Sequence, residues 1–253
     1  MYKPTLIAAA LLALSMNGPV RAEAAASPDE AATQIANQLQ QMDAKLQVSS
    51  IEPTAMPGLY EVMLASGELL YADASGQFFL QGQLYRAEGQ GMVNLTEARL
   101  NARRAELLAA VDKADMIAFR PDGEVKARIA VFTDVDCPYC RKLHQEVPKL
   151  NALGIEVDYL AFPRGGERSR AFTKMQSLWC AEADRRQAGM TRLKNGEAIE
   201  PLSCESQVVM EQFALGRQVG VTGTPALLFE DGRLVPGYMP AERLAQALGI
   251  ATQ

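Results

Sequence analysis

Apolar runs long enough to cross a membrane are missing from nearly all of this 253-residue chain. The one sustained stretch, residues 6–16, falls well short of the ~20 residues a spanning helix needs. It follows Lys3 and precedes residues 18–22, GPVRA, which is the layout of a cleavable secretory leader. Cleavage is expected after Ala22, with Ala24 and Ala25 as fallback sites, and the remainder is expected to be soluble and exported. Positive charge is also in short supply. The chain has 25 Lys and Arg against 30 Asp and Glu, a net −5, and losing Lys3 and Arg21 with a leader makes it 23 against 30, or −7. No basic patch suits a nucleic acid, so the expected partners are proteins. Cysteine is confined to four positions, Cys137, Cys140, Cys180 and Cys204. An even number in an exported protein fits two disulfides, with three possible connectivities.

Two of those thiols carry the chemistry. Cys137-Pro138-Tyr139-Cys140 follows the apolar run 129–133 and opens a helical stretch reaching residue 150. A helix N-terminus offers unpaired N–H groups and the positive end of the helix dipole. Both favour a thiolate, the form of cysteine that attacks disulfides. A CxxC pair at the end of a strand reads as a thioredoxin-like redox centre. Two other readings stay open: a zinc site using all four thiols, and a static disulfide. Zinc knuckles usually pair two close CxxC motifs, whereas Cys180 and Cys204 are 24 residues apart. The preferred connectivity is 137–140 with 180–204. The second pair closes a loop of about 25 residues, worth on the order of 3 kcal/mol.

The single histidine, His144, lies seven residues beyond Cys137, on the same helical face. Two turns are about 10 Å, too far for direct proton transfer, so a structural role is expected. Trp179, beside Cys180, is expected to pack around that cysteine's disulfide. Asp134 and Asp136 would oppose a thiolate at Cys137 if they lie close to it.

Along the chain, Ser27-Pro28-Asp29-Glu30 is a capping box with proline at the first helical position. The helix it starts should bury Ile35, Leu39, Met42 and Leu46. Strands are expected over 59–64, 69–72 and 78–85, with turns at Ser66-Gly67 and Ser75-Gly76. This unit is near the size at which a lone core is marginal, which predicts pairing with a second copy. Residues 96–115 lack glycine and proline, and Leu100, Leu107, Leu108 and Val111 recur at helical spacing. They read as a stiff linker helix capped by Thr96. Strands over 116–119, 125–135 and 155–162 follow, then a broken helical region over 169–216. A hairpin over 225–235 around Asp231-Gly232 and a helix over 241–248 complete the chain. That order is the thioredoxin order with helices inserted after the second strand, and the insertion contains Cys180 and Cys204.

Residues 132–144 (FTDVDCPYCRKLH), 151–155 (NALGI), 159–164 (YLAFPR), 179–181 (WCA), 214–216 (ALG), 223–226 (GTPA) and 234–238 (LVPGY) together resemble the periplasmic DsbC-type protein disulfide isomerases. The resemblance covers essentially the whole chain after the leader. It implies an α+β architecture in four parts: a leader over 1–22, a cystatin-like N-terminal dimerisation domain over 23–90, a linker helix over 91–115 and a thioredoxin-like catalytic domain over 116–253. It further implies a V-shaped homodimer in the periplasm and a membrane thiol reductase of the DsbD type that keeps the active pair reduced. No cofactor or metal is expected. Two residues depart from the family pattern. Pro138 stands where glycine is usual, which is similar to DsbG-type reductases of sulfenylated cysteines, although those lack the Cys180/Cys204 pair. Pro148 should kink or end the active-site helix.

The expected mechanism follows. Cys137, nearer the helix start, should be the more exposed thiol with the lower pKa, and attacks a mispaired disulfide in a client. Cys140 is the resolving thiol. Thr224, Pro225 and Tyr139 are expected to contact the client, with a cis Thr224–Pro225 bond implied by the resemblance. The expected activity is disulfide isomerisation and reduction with chaperone capacity. The alternatives are sulfenic-acid reduction and a holdase that needs no thiol.

Overall fold

The computed structural model describes residues 27–251; the expected leader lies outside them. At the start, the Ser27 hydroxyl accepts from the Glu30 N–H and the Glu30 carboxylate accepts from the Ser27 N–H, so the capping box launches α1, Pro28–Met42. Ala31, Ile35 and Leu39 dock on Tyr60, Val62, Leu64 and Ala72. Met42 was expected in that face but is 68% exposed, since it is the last residue of the helix and the chain turns extended at Asp43.

That sheet is antiparallel in the order β1, Val48–Pro53; β2, Leu59–Leu64; β3, Leu69–Asp73; β4, Phe79–Leu80. The expected strand over 78–85 is two pieces: β4, and β5, Tyr85–Glu88, which pairs instead with β6, Gly91–Asn94. Neither β1 nor β6 was anticipated. Their sequences, VSSIEP and GMVN, alternate weakly, and cross-strand pairing rather than propensity makes them strands.

α2, Leu95–Ala109, is the linker helix, and Asn94 caps it rather than Thr96. Thr96 is buried instead: its hydroxyl meets Tyr71 Oη at 2.5 Å and accepts from the Leu84 N–H at 2.7 Å. The helix also stops six residues short of the expected end; a 3₁₀ turn, Lys113–Asp115, follows. It is not a free rod. Leu100 packs on Met63, Leu69 and Tyr71, while Leu107, Leu108 and Val111 pack on Ala130, Phe132, Leu160 and Val219. Two glycines permit still closer approach. A Cβ on Gly232 (φ +82°) would sit 1.8 Å from the Asn101 carbonyl oxygen, and one on Gly67 (φ +88°) 1.9 Å from that of Gln218.

The C-terminal part is built on a five-stranded sheet in the order β11-β10-β8-β9-β7. Its strands are β7, Ile117–Phe119; β8, Ala127–Thr133; β9, Ile155–Ala161; β10, Ala226–Phe229; and β11, Leu234–Pro236. β8 and β9 are parallel and joined by α3, Pro138–Ala152; the other pairs are antiparallel. All seven residues of β9 are buried, as a central strand covered on both faces requires. α4, Arg170–Trp179, α5, Ala183–Lys194, and α6, Val208–Gln218, form the inserted helical region, and α7, Ala241–Ala247, ends the fold. Pro148 does not end α3, which continues to Ala152 because Val147 and Leu150 on either side of it are held in the core.

Candidate active site

The Cys137–Cys140 pair sits where β8 runs into α3. Cys137 is the N-cap residue, Pro138 takes the first helical position, and Cys140 lies in the first turn. Proline suits that position because its missing N–H would have had no helical partner. Both thiols are free. Both are almost closed off from solvent, at 1% and 0% exposed, and Cys137 is the shallower of the two, as expected. Depth and polar surroundings together separate them. Cys137 Sγ donates to the Thr224 carbonyl oxygen at 3.2 Å.

Burial works against the Cys137 thiolate. The Thr224 hydroxyl, the N–H and thiol of Cys140, and the Arg164 guanidinium work for it and prevail, so its pKa falls below the ordinary cysteine value. For Cys140 burial wins, and its pKa rises despite Lys194 nearby, the Asp134 backbone and the hydroxyls of Thr224 and Thr133. The two thiols are thus pushed apart, the arrangement in which one attacks first and the other is held in reserve. The Thr224 hydroxyl is buried without a hydrogen-bond partner. It faces both sulfurs, so a thiolate is the acceptor it lacks.

The Thr224–Pro225 bond is cis and stands against the sulfurs, with Pro225 leading into β10. Tyr139 is 63% exposed beside the pair. Cys180 and Cys204 are joined in a disulfide, Cα atoms 5.7 Å apart, so the four cysteines do not converge on a zinc site. The Trp179 indole, buried next to Cys180, donates its N–H to the Asp115 carbonyl oxygen at 2.7 Å.

Neither nearby aspartate faces Cys137 uncompensated. Asp134 is buried and accepts from the Arg164 side chain at 3.2 Å and the Arg164 N–H at 3.0 Å. Asp136 accepts from Lys174 at 2.7 Å. His144 is buried between Tyr159 Oη at 2.9 Å and Thr191 Oγ1 at 3.1 Å. Burial, with help from Lys194, pushes its pKa down to about 4, so it is neutral at neutral pH. A cleft of about 820 Å³ lies beside α3 between Phe119, Arg120, Pro148 and Thr191, and no cysteine lines it.

Sequence reasoning missed two neighbours. Arg164 carried no signal beyond its place in the YLAFPR segment. Lys194 carried none, since a lysine in the polar sequence of α5 looks like surface.

Comparison with known proteins places this geometry in a family. Residues 24–97 match the disulfide bond isomerase protein N-terminal domain, and residues 113–251 match the thioredoxin-like domain. The thiol:disulfide interchange protein DsbC of Dickeya dadantii is 37% identical over 246 residues, covering 97% of this chain and 95% of that protein. The chain belongs to the DsbC family of thiol:disulfide interchange proteins. DsbC of Salmonella typhimurium is 42% identical across 79% of this chain and 81% of its own length. The catalytic domain of Proteus mirabilis ScsC, 16% identical, overlays on 60% of this chain and 96% of its own with a TM-score of 0.51, a likeness of fold alone. As a DsbC-family member the protein is a thiol:disulfide interchange enzyme with a thioredoxin-like fold.

Proposed function

We propose that the protein is a dimeric disulfide isomerase and reductase for exported proteins. The supporting observation is the reduced Cys137–Cys140 pair, its two pKa values driven in opposite directions beside the cis Thr224–Pro225 bond. Cys137 thiolate attacks a client disulfide, one client sulfur leaves, and a mixed disulfide forms. A client thiol then attacks elsewhere and frees Cys137, which is isomerisation. Alternatively Cys140 attacks Cys137 and releases a reduced client. Thr224, Pro225 and Tyr139 receive the client as an extended segment; Pro225 presents no N–H, and neighbouring backbone pairs with the added strand.

Dimerisation through the N-terminal part is supported by the edge position of β4 and by exposed Phe78, Leu80, Tyr85, Met92 and Val93 on and around β4, β5 and β6. Apolar side chains out of contact on short strands are what a second copy covers. The two arms would hold misfolded chains between them, which gives chaperone capacity. The compartment is the periplasm, reached by the leader, and the reducing partner is a membrane thiol reductase of the DsbD type. Among the described residues, no helix is long and apolar enough to cross a membrane.

The test is reactivation of scrambled ribonuclease by the reduced protein, beside Cys137→Ala, with sedimentation to establish the dimer. Reactivation lost in the variant supports isomerisation. A folded, reduced dimer that reactivates nothing removes it. Pro138 favours a second reading, reduction of sulfenylated cysteines; consumption of a sulfenylated protein without ribonuclease reactivation would select that one.

A further inference from the structure

Lys194, the last residue of α5, is 3% exposed, and its ammonium has no carboxylate within ion-pair distance among the described residues. Its Nζ donates to Thr133 Oγ1 at 2.5 Å and to the Asp134 carbonyl oxygen at 3.1 Å. The carboxylate whose charge acts on it, Asp134, is taken by Arg164. A buried charge without a counter-charge is costly, so a partner of opposite sign is missing from the thiol form. The Thr133 hydroxyl and the Asp134 backbone, which hold the ammonium from one side, also face the Cys140 sulfur. A hydroxyl that accepts from Nζ keeps its own proton free to donate. Lys194, Thr133 and Cys140 therefore form a chain ending on sulfur.

We propose that Lys194, acting through Thr133, draws out the Cys140 thiolate and so sets how soon a captured client is released reduced rather than rearranged. This rests on the mixed-disulfide mechanism above and identifies a positioning residue within it. In the mixed disulfide, when Nζ is neutral the Thr133 hydroxyl turns to donate to its lone pair and accepts from the Cys140 thiol, so the thiol proton passes to Thr133 Oγ1 as the Thr133 proton passes to Nζ. The Cys140 thiolate attacks Cys137 Sγ, and the bond from Cys137 to the client sulfur breaks. The client sulfur leaves as thiolate and takes a proton from water. The cysteine pair loses two electrons and the client gains two.

The surroundings suit that exchange. Burial pushes Lys194 down to about 8, against the pull of Cys140, Asp134 and Cys137, with Arg141 adding to the downward push. A neutral fraction is therefore present near neutral pH to take the proton. The other groups facing it are His144 on α3, neutral as described, and Tyr159 on β9, whose ring centroid is 5.6 Å from Nζ. Burial pushes the Tyr159 phenol upward, so it too is neutral. Beyond the paired Asp134, the negative charge available to Lys194 is a cysteine thiolate.

The experiment is stopped-flow reaction of the purified reduced protein with dithionitrobenzoate from pH 6 to 9. The first thionitrobenzoate reports attack by Cys137, and the second reports its expulsion by Cys140. In Lys194→Met, the second phase should slow by about 100-fold at pH 7, the low end of what a positioned proton acceptor contributes. Its pH profile should move to the alkaline side. Thr133→Val should do the same with Lys194 still present, and it decides the matter alone if Lys194→Met does not fold. A second-phase profile that coincides with the parent's in the folded variants overturns the proposal, whatever happens to their melting temperature. The reagent needs no client, so failure of the isomerase reading would leave this result standing by itself.

Discussion

Asp158 gives a direct test of how burial governs charge in this protein. It lies on β9 two residues after Glu156, so both carboxylates point to the same side of the sheet. Glu156 is paired with Arg120 at 2.9 Å and Arg128 at 3.1 Å. Asp158 makes no ion pair among the described residues and borders a cavity of about 320 Å³ beneath α2. Burial, then the charge of Glu156, raise its pKa to about 6 from 3.8, against Arg120, Arg128 and Lys113. Between those values the folded state holds a proton that the unfolded chain has released. Stability therefore falls as pH rises through that window, and the loss is complete above pH ~6. A shift of about two units corresponds to about 3 kcal/mol at most. Asp158→Asn keeps the shape and removes the charge. By urea unfolding at a series of pH values, the variant should be more stable than the parent by up to about 3 kcal/mol at pH 7.5. At pH 4 the advantage should nearly vanish. A variant no more stable at pH 7.5, or one whose advantage is the same at both pH values, would refute burial of the ionised carboxylate as the cause.

Three further outcomes are expected. Arg164→Met removes the cation beside Cys137 and Asp134, so the pH profile of Cys137 alkylation should shift to the alkaline side, with about 1–2 kcal/mol of stability lost because that arginine is half exposed; an unmoved profile contradicts the assignment. Replacing Cys180 and Cys204 together with alanine should cost on the order of 3 kcal/mol in urea unfolding, from the 24-residue separation they close, and an unchanged midpoint would contradict it. Gly232→Ala would force a Cβ against the Asn101 carbonyl at a left-handed backbone position, costing about 1–3 kcal/mol and opening α2 to proteases; equal proteolysis of variant and parent would show the contact to be dispensable.

Much of the fold was legible because local and global signals agree. The Ser27 capping box, the Pro138 start of α3 and the Asp231-Gly232 turn each act within a few residues, and all three elements stand where the sequence puts them. What failed depended on distant partners. Thr96 looks like a cap until Tyr71 and Leu84 claim its hydroxyl. β1 is polar and earns its strand character only against β2. In the site, the spacing of Cys137 and Cys140 is a sequence property, whereas the bonds that distinguish them come from Thr224, 87 residues away, and from Arg164. Lys194 is the extreme case, because burial of a charged side chain at a helix end has no one-dimensional signature.

The close seat of α2 on the hairpin carries a mechanical consequence. The Asn101 carbonyl presses on the turn joining β10 to β11, and β10 is only four residues long. At the other end of that short strand stands Pro225, against the sulfurs. The seat of α2 and the redox pair thus stand at the two ends of one four-residue strand, with no loop between them to take up slack.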